Sequence, residues 1–249
     1  MERHAMKRAI LRVFLFFCLA ASGIIDPGSA SADAPRAHEA ALQKAKRPGS
    51  GVGEQSTALW RKAFDEYERG RTSKDARQRS AHLLRAEQFA QQSIKADPHD
   101  DEGYKWLAIT LGAQAEDASV KTQIRLSRLV KENIEKALTL DPDDDISLLV
   151  LSRWHYKVAS LQPWTRAFVR LIYGGLPSAS MEKSENLLLR AIAIKDRIAH
   201  RYSLAKVYHQ MGRKEAALKQ LRLALALPVT FAEEADDREK ARRKLSSWK

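Results

Sequence analysis

Histidines, acidic runs and one dense aromatic and basic stretch are the residues of this 249-residue chain whose types could do chemistry. The seven histidines are His4, His38, His82, His99, His155, His200 and His209. A zinc-binding helix needs ligands at a spacing such as His-Glu-x-x-His, one turn apart on one face. No two of the seven have it, and the single cysteine, Cys18, lies in an apolar N-terminal run. Each histidine therefore reads as a structural or surface side chain. Asp143-Asp144-Asp145 lacks the spaced ligands and distal glutamate of a calcium loop. It opens a helical pattern, where carboxylates complement the positive end of the helix dipole. No nucleophile elbow, P-loop or dinucleotide fingerprint occurs, and Gly51-Val52-Gly53 falls in a Gly/Pro-rich stretch rather than after a strand. The expectation is a protein that is not an enzyme and uses no cofactor or metal.

What remains is Trp154, Tyr156, Trp164, Phe168 and Tyr173, flanked by Arg153, Lys157, Arg166 and Arg170. Aromatic side chains anchor binding surfaces, and cations among them select acidic ligands. Two readings stand open. The rings fill the joint between a long helix and an inserted one, or some of them line a groove for a peptide or a lipid chain. Nucleic acid is disfavoured, because aromatic and basic residues do not alternate along one face as a stacking platform requires. The one other compact basic block is Arg238, Lys240, Arg242, Arg243 and Lys244 in the tail, a solvated helix face or an electrostatic dock.

These residues must be held by helices. Gly (11) and Pro (8) are few, and Ala, Leu, Lys, Arg, Glu and Gln, which lose little side-chain freedom in a helix, dominate. No alternating runs of β-branched residues occur, so the fold class is all-α. The formal net charge of +12 favours acidic partners. Helical periodicity predicts about nine to ten helices from Ala58 onward. A first face, Leu59, Trp60, Ala63, Phe64 and Tyr67, ends at Gly70. Ser73 is expected to cap a second helix that runs to Asp97-Pro98, and Asp101 a third that runs to Gly112. Further helices are expected over about 121–140, 145–161, 164–173, 181–194, 198–211, 213–227 and 232–245. Pro163 and Gly174-Gly175 isolate a short aromatic helix between the fifth and the seventh.

An internal repeat organises them. Leu204, Ala205, Tyr208, Ala217, Leu221 and Ala224 have the offsets of a tetratricopeptide (TPR) helix pair, with small residues where two helices cross closely. Tyr104, Leu107, Ala108 and Leu111 repeat the first-helix offsets, and Ile134, Ala137 and Pro142 those of the second. The units are stretched, since Pro98 and Pro142 are 44 residues apart where a plain TPR has about 34. The expectation is a TPR-like antiparallel helix-pair solenoid over residues 56–249, with the short aromatic helix inserted.

Residues 58–228 resemble the regulator of microtubule dynamics family. The likeness is carried by LWRKAF at Leu59–Phe64, YKWLAITLG from Tyr104, IEKALTLDPDD from Ile134 and, most specifically, SRWHYKVASLQPWTRAFVRLIYGGLPSASMEK at 152–183. The resemblance implies a non-catalytic adaptor that binds protein partners, in a family linked to microtubules. In that setting the basic residues would meet acidic tubulin tails. The alternative is a membrane-associated lipid-binding module, or a periplasmic or secreted protein-interaction module.

The N-terminus bears on that choice. Arg3, Lys7, Arg8 and Arg12 precede the apolar run Val13–Ile25, and Asp26-Pro27-Gly28 and small residues to Ala32 follow. This is the build of a signal peptide or membrane-targeting segment over 1–32, with a mitochondrial presequence or an uncleaved anchor as rivals. It predicts secretory routing or membrane anchoring, whereas the family resemblance implies cytoplasm and cytoskeleton or a mitochondrion. Residues 33–55 read as a flexible linker.

Overall fold

A computed structural model describes residues 51–229 and 232–248. They form ten helices, and there is no strand among the described residues. In chain order these are α1 (Gly51–Thr72), α2 (Ala76–Ala96), α3 (Asp101–Gln114), α4 (Val120–Leu140), α5 (Asp145–Ala159), α6 (Pro163–Tyr173), α7 (Met181–Ile194), α8 (Ile198–Gln210), α9 (Lys214–Ala226) and α10 (Ala232–Ser247).

Several boundaries differ from expectation for identifiable reasons. Gly51–Gln55, expected as linker, are helical, because Ser56 anchors the first turns of α1. Its hydroxyl lies 2.9 Å from that of Ser93 and donates to Asp100 at 2.8 Å. Gly70 does not stop α1; it lets α2 approach, since a Cβ there would lie 3.2 Å from Leu83. Asp75, not Ser73, caps α2, accepting from the Gln78 amide at 2.8 Å. Asp100, not Asp101, caps α3, accepting from the Glu102 amide at 3.1 Å. An aspartate one residue outside the first turn is the better cap, because its carboxylate folds back onto free amides. Asp144 does the same for α5 through the Ser147 amide at 2.8 Å.

The helices stack as antiparallel pairs, α1 with α2, α3 with α4, α5 with α7 and α8 with α9, and α10 packs on α8 and α9. The first helix of each pair also touches a neighbouring first helix or the second helix of the preceding pair. This is a TPR-like solenoid in which α1, α3, α5, α8 and α10 share one face. That face curves inward. Five helices side by side at 8–10 Å spacing would hold α1 and α10 roughly 30–40 Å apart if the face were flat. Instead the Arg71 guanidinium of α1 lies 3.9 Å from the Asp236 carboxylate of α10. The main core, with Ala63, Ala90, Leu107, Leu111, Leu126, Val130, Trp154 and Val158 buried, joins α1 to α5. A second, with Ile198, Tyr202, Ala205, Leu221, Ala224 and Ala241, closes the C-terminal end.

One expectation is overturned. Secretory routing or membrane anchoring called for a membrane segment, yet no helix among the described residues is long and apolar enough to cross a membrane. The longest, α1, α2 and α4, carry charged side chains along their exposed faces. The membrane-associated form of the alternative likewise has no spanning helix among the described residues. Residues 1–32 and 33–50 lie outside the described residues.

Candidate functional site

The nine residues singled out from the sequence do not form one surface; they separate into three environments. Trp154 on α5 is core. It is 5% exposed, and its indole N–H donates to the Ser127 carbonyl at 2.8 Å and lies 3.0 Å from the Ser127 hydroxyl. This ring belongs to the core that joins α1 to α5.

Five of the nine lie on α6, the inserted helix. Pro163 starts it with a preset φ, and Gly174 ends it at φ +74°, a left-handed conformation that side chains disfavour. Val169 is buried against Ile124 of α4, with Phe168 and Tyr173 beside them. Arg128 of α4 donates to the carbonyls of Tyr173 and Gly175, and Arg166 to that of Ala159. The outer side of α6 is left to solvent: Trp164 is 49% exposed and Leu171 82%. Arg170 is exposed as well. Between α6 and the end of α5 lies a cleft of about 710 Å³ lined by Val158, Leu161, Pro163, Arg166, Arg170 and Leu176 among others.

Arg153, Tyr156 and Lys157 lie on the inner half of α5, where α8 and α10 meet it. The Arg153 guanidinium donates to the Ser203 hydroxyl of α8 at 3.2 Å and to the Asp237 carboxylate of α10 at 3.4 Å. Lys206 of α8 places its ammonium 5.3 Å from the ring centre of Tyr156 and 5.1 Å from that of Tyr202. Burial, reinforced by Arg153 nearby, pushes the Lys206 ammonium down to about 7, against the pull of Asp237. The faces of the two rings oppose that shift, since a π-face stabilises a cation. Burial likewise raises the Tyr156 and Tyr202 hydroxyls above the usual range. The result is a cationic patch walled by aromatic faces, a chemistry suited to carboxylates.

Sequence reading missed Lys206, Tyr202 and Ser203 on α8 and Asp237 on α10. The signal was present in the repeat. Arg153 follows Leu151-Ser152, Lys206 follows Leu204-Ala205, and Ile109 follows Leu107-Ala108. On α5 and α8 the residue after the Leu-small pair faces inward, and in both it is basic.

Other polar clusters are structural. Lys105 of α3 is buried against Glu102 at 2.7 Å, Asp144 of α5 at 3.2 Å and Asp101 at 4.0 Å. Burial alone would lower its ammonium, but Glu102, Asp144 and Asp101 outweigh that and hold it above the ordinary lysine range. This cluster fixes the start of α5 against α3. His200, fully buried, has Nδ1 2.8 Å from the Lys195 carbonyl and Nε2 3.4 Å from Asp145, and burial lowers its pKa. No group of three or more metal-ligating side chains occurs among the described residues.

Comparison with known proteins accords with this picture. The family model described as "Regulator of microtubule dynamics protein 1-3" matches residues 30–249. Regulator of microtubule dynamics protein 3 of Xenopus laevis is 27% identical over 186 residues, 74% of this chain and 40% of that protein. Regulator of microtubule dynamics protein 1 of Homo sapiens is 24% identical over 192 residues, 76% of this chain and 60% of that protein. The chain thus spans about two-fifths to three-fifths of the length of these relatives. A crystal structure of a thermophilic TPR protein of Thermus thermophilus superposes with a TM-score of 0.52 at 19% identity, over 84% of this chain and 86% of that one. At that identity the likeness concerns the fold. With the stacked helix pairs, the inserted helix and a match over most of its length, the chain belongs to the regulator of microtubule dynamics family and is a non-enzymatic, TPR-like scaffold.

Proposed function

We propose that this scaffold is an adaptor that holds an acidic segment of a protein partner on its inner face, with Arg153, Lys157 and Lys206 as the charge-reading residues. The observation that carries it is the Arg153–Lys206 patch, where two cations are set among the rings of Tyr156 and Tyr202 on a curved helical-repeat face. Repeat solenoids use such faces to bind extended segments. The relatives are named as regulators of microtubule dynamics, and the acidic C-terminal tails of tubulin are a segment of this chemistry. Trp164, Arg166 and Arg170, with the partly buried Phe168 and Tyr173 beneath them, form a second contact area on α6, 11 to 17 residues downstream of Arg153 in sequence. Trp154 supports both areas from the core and touches no partner.

Co-sedimentation with microtubules tests this reading. Binding should weaken as salt rises from 50 to 300 mM, as screening of exposed charges requires, and should fall when the tubulin tails are removed by limited proteolysis. Binding that tail removal leaves unchanged, or that an unrelated protein of the same net charge reproduces, would refute it.

A further inference from the structure

The inner face described above is already occupied by part of this chain. Helix α10 divides in two by composition. Its first six residues carry Glu233, Glu234, Asp236 and Asp237, and the remainder is mainly basic, with Arg238, Lys240, Arg242, Arg243 and Lys244 against Glu239. The second half is held by apolar contacts. Ala241 is buried with Tyr202 and Leu221, and Leu245 and Trp248 pack beside them. The Trp248 ring also stacks on His209 of α8 at 3.8 Å. Asp236 and Asp237 reach across the curved face to two other first helices. Asp237 meets Arg153 of α5, 84 residues away in sequence, at 3.4 Å. Asp236 lies 3.9 Å from Arg71 of α1.

The helix dipole does not account for these two carboxylates. Its effect falls off within the first turn, and Asp236 and Asp237 are the fifth and sixth residues of α10. Nor are the ion pairs strong fasteners. Each pair is long and has one exposed member, Arg153 at 38% against Asp237 at 13%, and Asp236 at 64% against Arg71 at 26%. Asp237 is shared with Lys240 of α10 itself at 3.3 Å, and partly exposed pairs contribute modestly. Such a contact forms readily and is displaced readily.

We infer that the acidic half of α10 is a built-in stand-in for the partner's acidic segment, and that a carboxylate-rich peptide must displace Asp236 and Asp237 from the inner face before it can bind. This rests on the reading that the Arg153–Lys206 patch binds acidic segments. The apolar second half of α10 then acts as a tether that keeps the competitor close. A competing state reduces apparent affinity by the fraction of molecules in which the site is free.

Fluorescence anisotropy with a labelled deca-glutamate peptide and the full chain provides the test. The double variant D236N/D237N should bind the peptide ~3–10-fold more tightly than the wild type, the range that two partly exposed ion pairs allow. The variant also gains two units of positive charge. A control, D65N/E132Q, neutralises two exposed carboxylates of α1 and α4 and should stay within about twofold of the wild type. R153Q should weaken binding in both backgrounds. Hydrogen exchange adds a readout independent of affinity: in the wild type, amides of residues 234–240 should lose protection when the peptide is added.

D236N/D237N binding no more tightly than the control, or unchanged exchange in α10, would overturn the inference. If peptide binding still depends on Arg153 in that case, the inner-face reading survives alone. Absence of binding by every form at low salt would remove both. Circular dichroism of each variant separates loss of binding from loss of fold.

Discussion

Replacing Lys105 with methionine removes an ammonium that three carboxylates share and leaves the side-chain volume nearly unchanged. Glu102, Asp144 and Asp101 surround it within 2.7–4.0 Å. Removing one partner of a buried pair costs about 3–5 kcal/mol, because the remaining charge is left uncompensated. Two of the three acids keep other hydrogen bonds, Glu102 from the Trp106 indole at 3.1 Å and Asp144 from the Ser147 amide at 2.8 Å. The lower end, about 3 kcal/mol, is therefore expected for K105M, or roughly 6–12 °C in Tm for a domain of this size. Urea denaturation at several pH values measures it. The Lys105 pKa is raised in the fold, so its contribution is complete below the ordinary lysine value and is lost only as pH rises beyond it. The wild type should then show no change from this group between pH 5 and 8. In K105M the orphaned carboxylates take up protons more readily in the fold, so the deficit should shrink as pH falls from 7 to 5. K105M/D144N should recover part of the loss, since asparagine still caps α5. A deficit under about 1 kcal/mol, or one that does not vary with pH, would refute the reasoning.

Two further outcomes are expected. Trp154→Phe strips the Ser127 carbonyl and hydroxyl of the indole donor at 2.8 and 3.0 Å, and should lower unfolding free energy by about 1–3 kcal/mol in urea titrations; a change within error of zero would show that the bond carries no net stability. Lys206→Met should raise stability at pH 7 by about 1–2 kcal/mol, because a desolvated cation is replaced by a side chain that packs on the same rings. With the folded pKa lowered to about 7, the penalty in the wild type is full below that value and fades as pH rises toward the ordinary lysine range. The advantage of the variant should narrow by pH 10 in thermal unfolding, while its affinity for deca-glutamate falls; a constant advantage would contradict the assigned shift.

Much of this molecule is written locally. Helical periodicity, the Asp-Pro stops and the offsets of Leu204, Ala205, Tyr208 and Ala217 act over one or two turns, so they are legible without a fold, and the all-α repeat architecture follows from them. Interactions across elements are a different matter. Gly70 looks like a stop until Leu83 is seen against it. Ser56 looks like linker until Ser93 and Asp100 bond to it. Trp154 and Trp164 are ten residues apart and chemically alike, yet one donates to Ser127 in the core and the other stands half in solvent, because only α5 is enclosed by its neighbours. Ser203 and Asp237, 50 and 84 residues away along the chain, become partners of Arg153 only once three helices converge on one curved face. Periodicity states which side of a helix is apolar; the packing of the other helices decides which polar side chains on that helix meet.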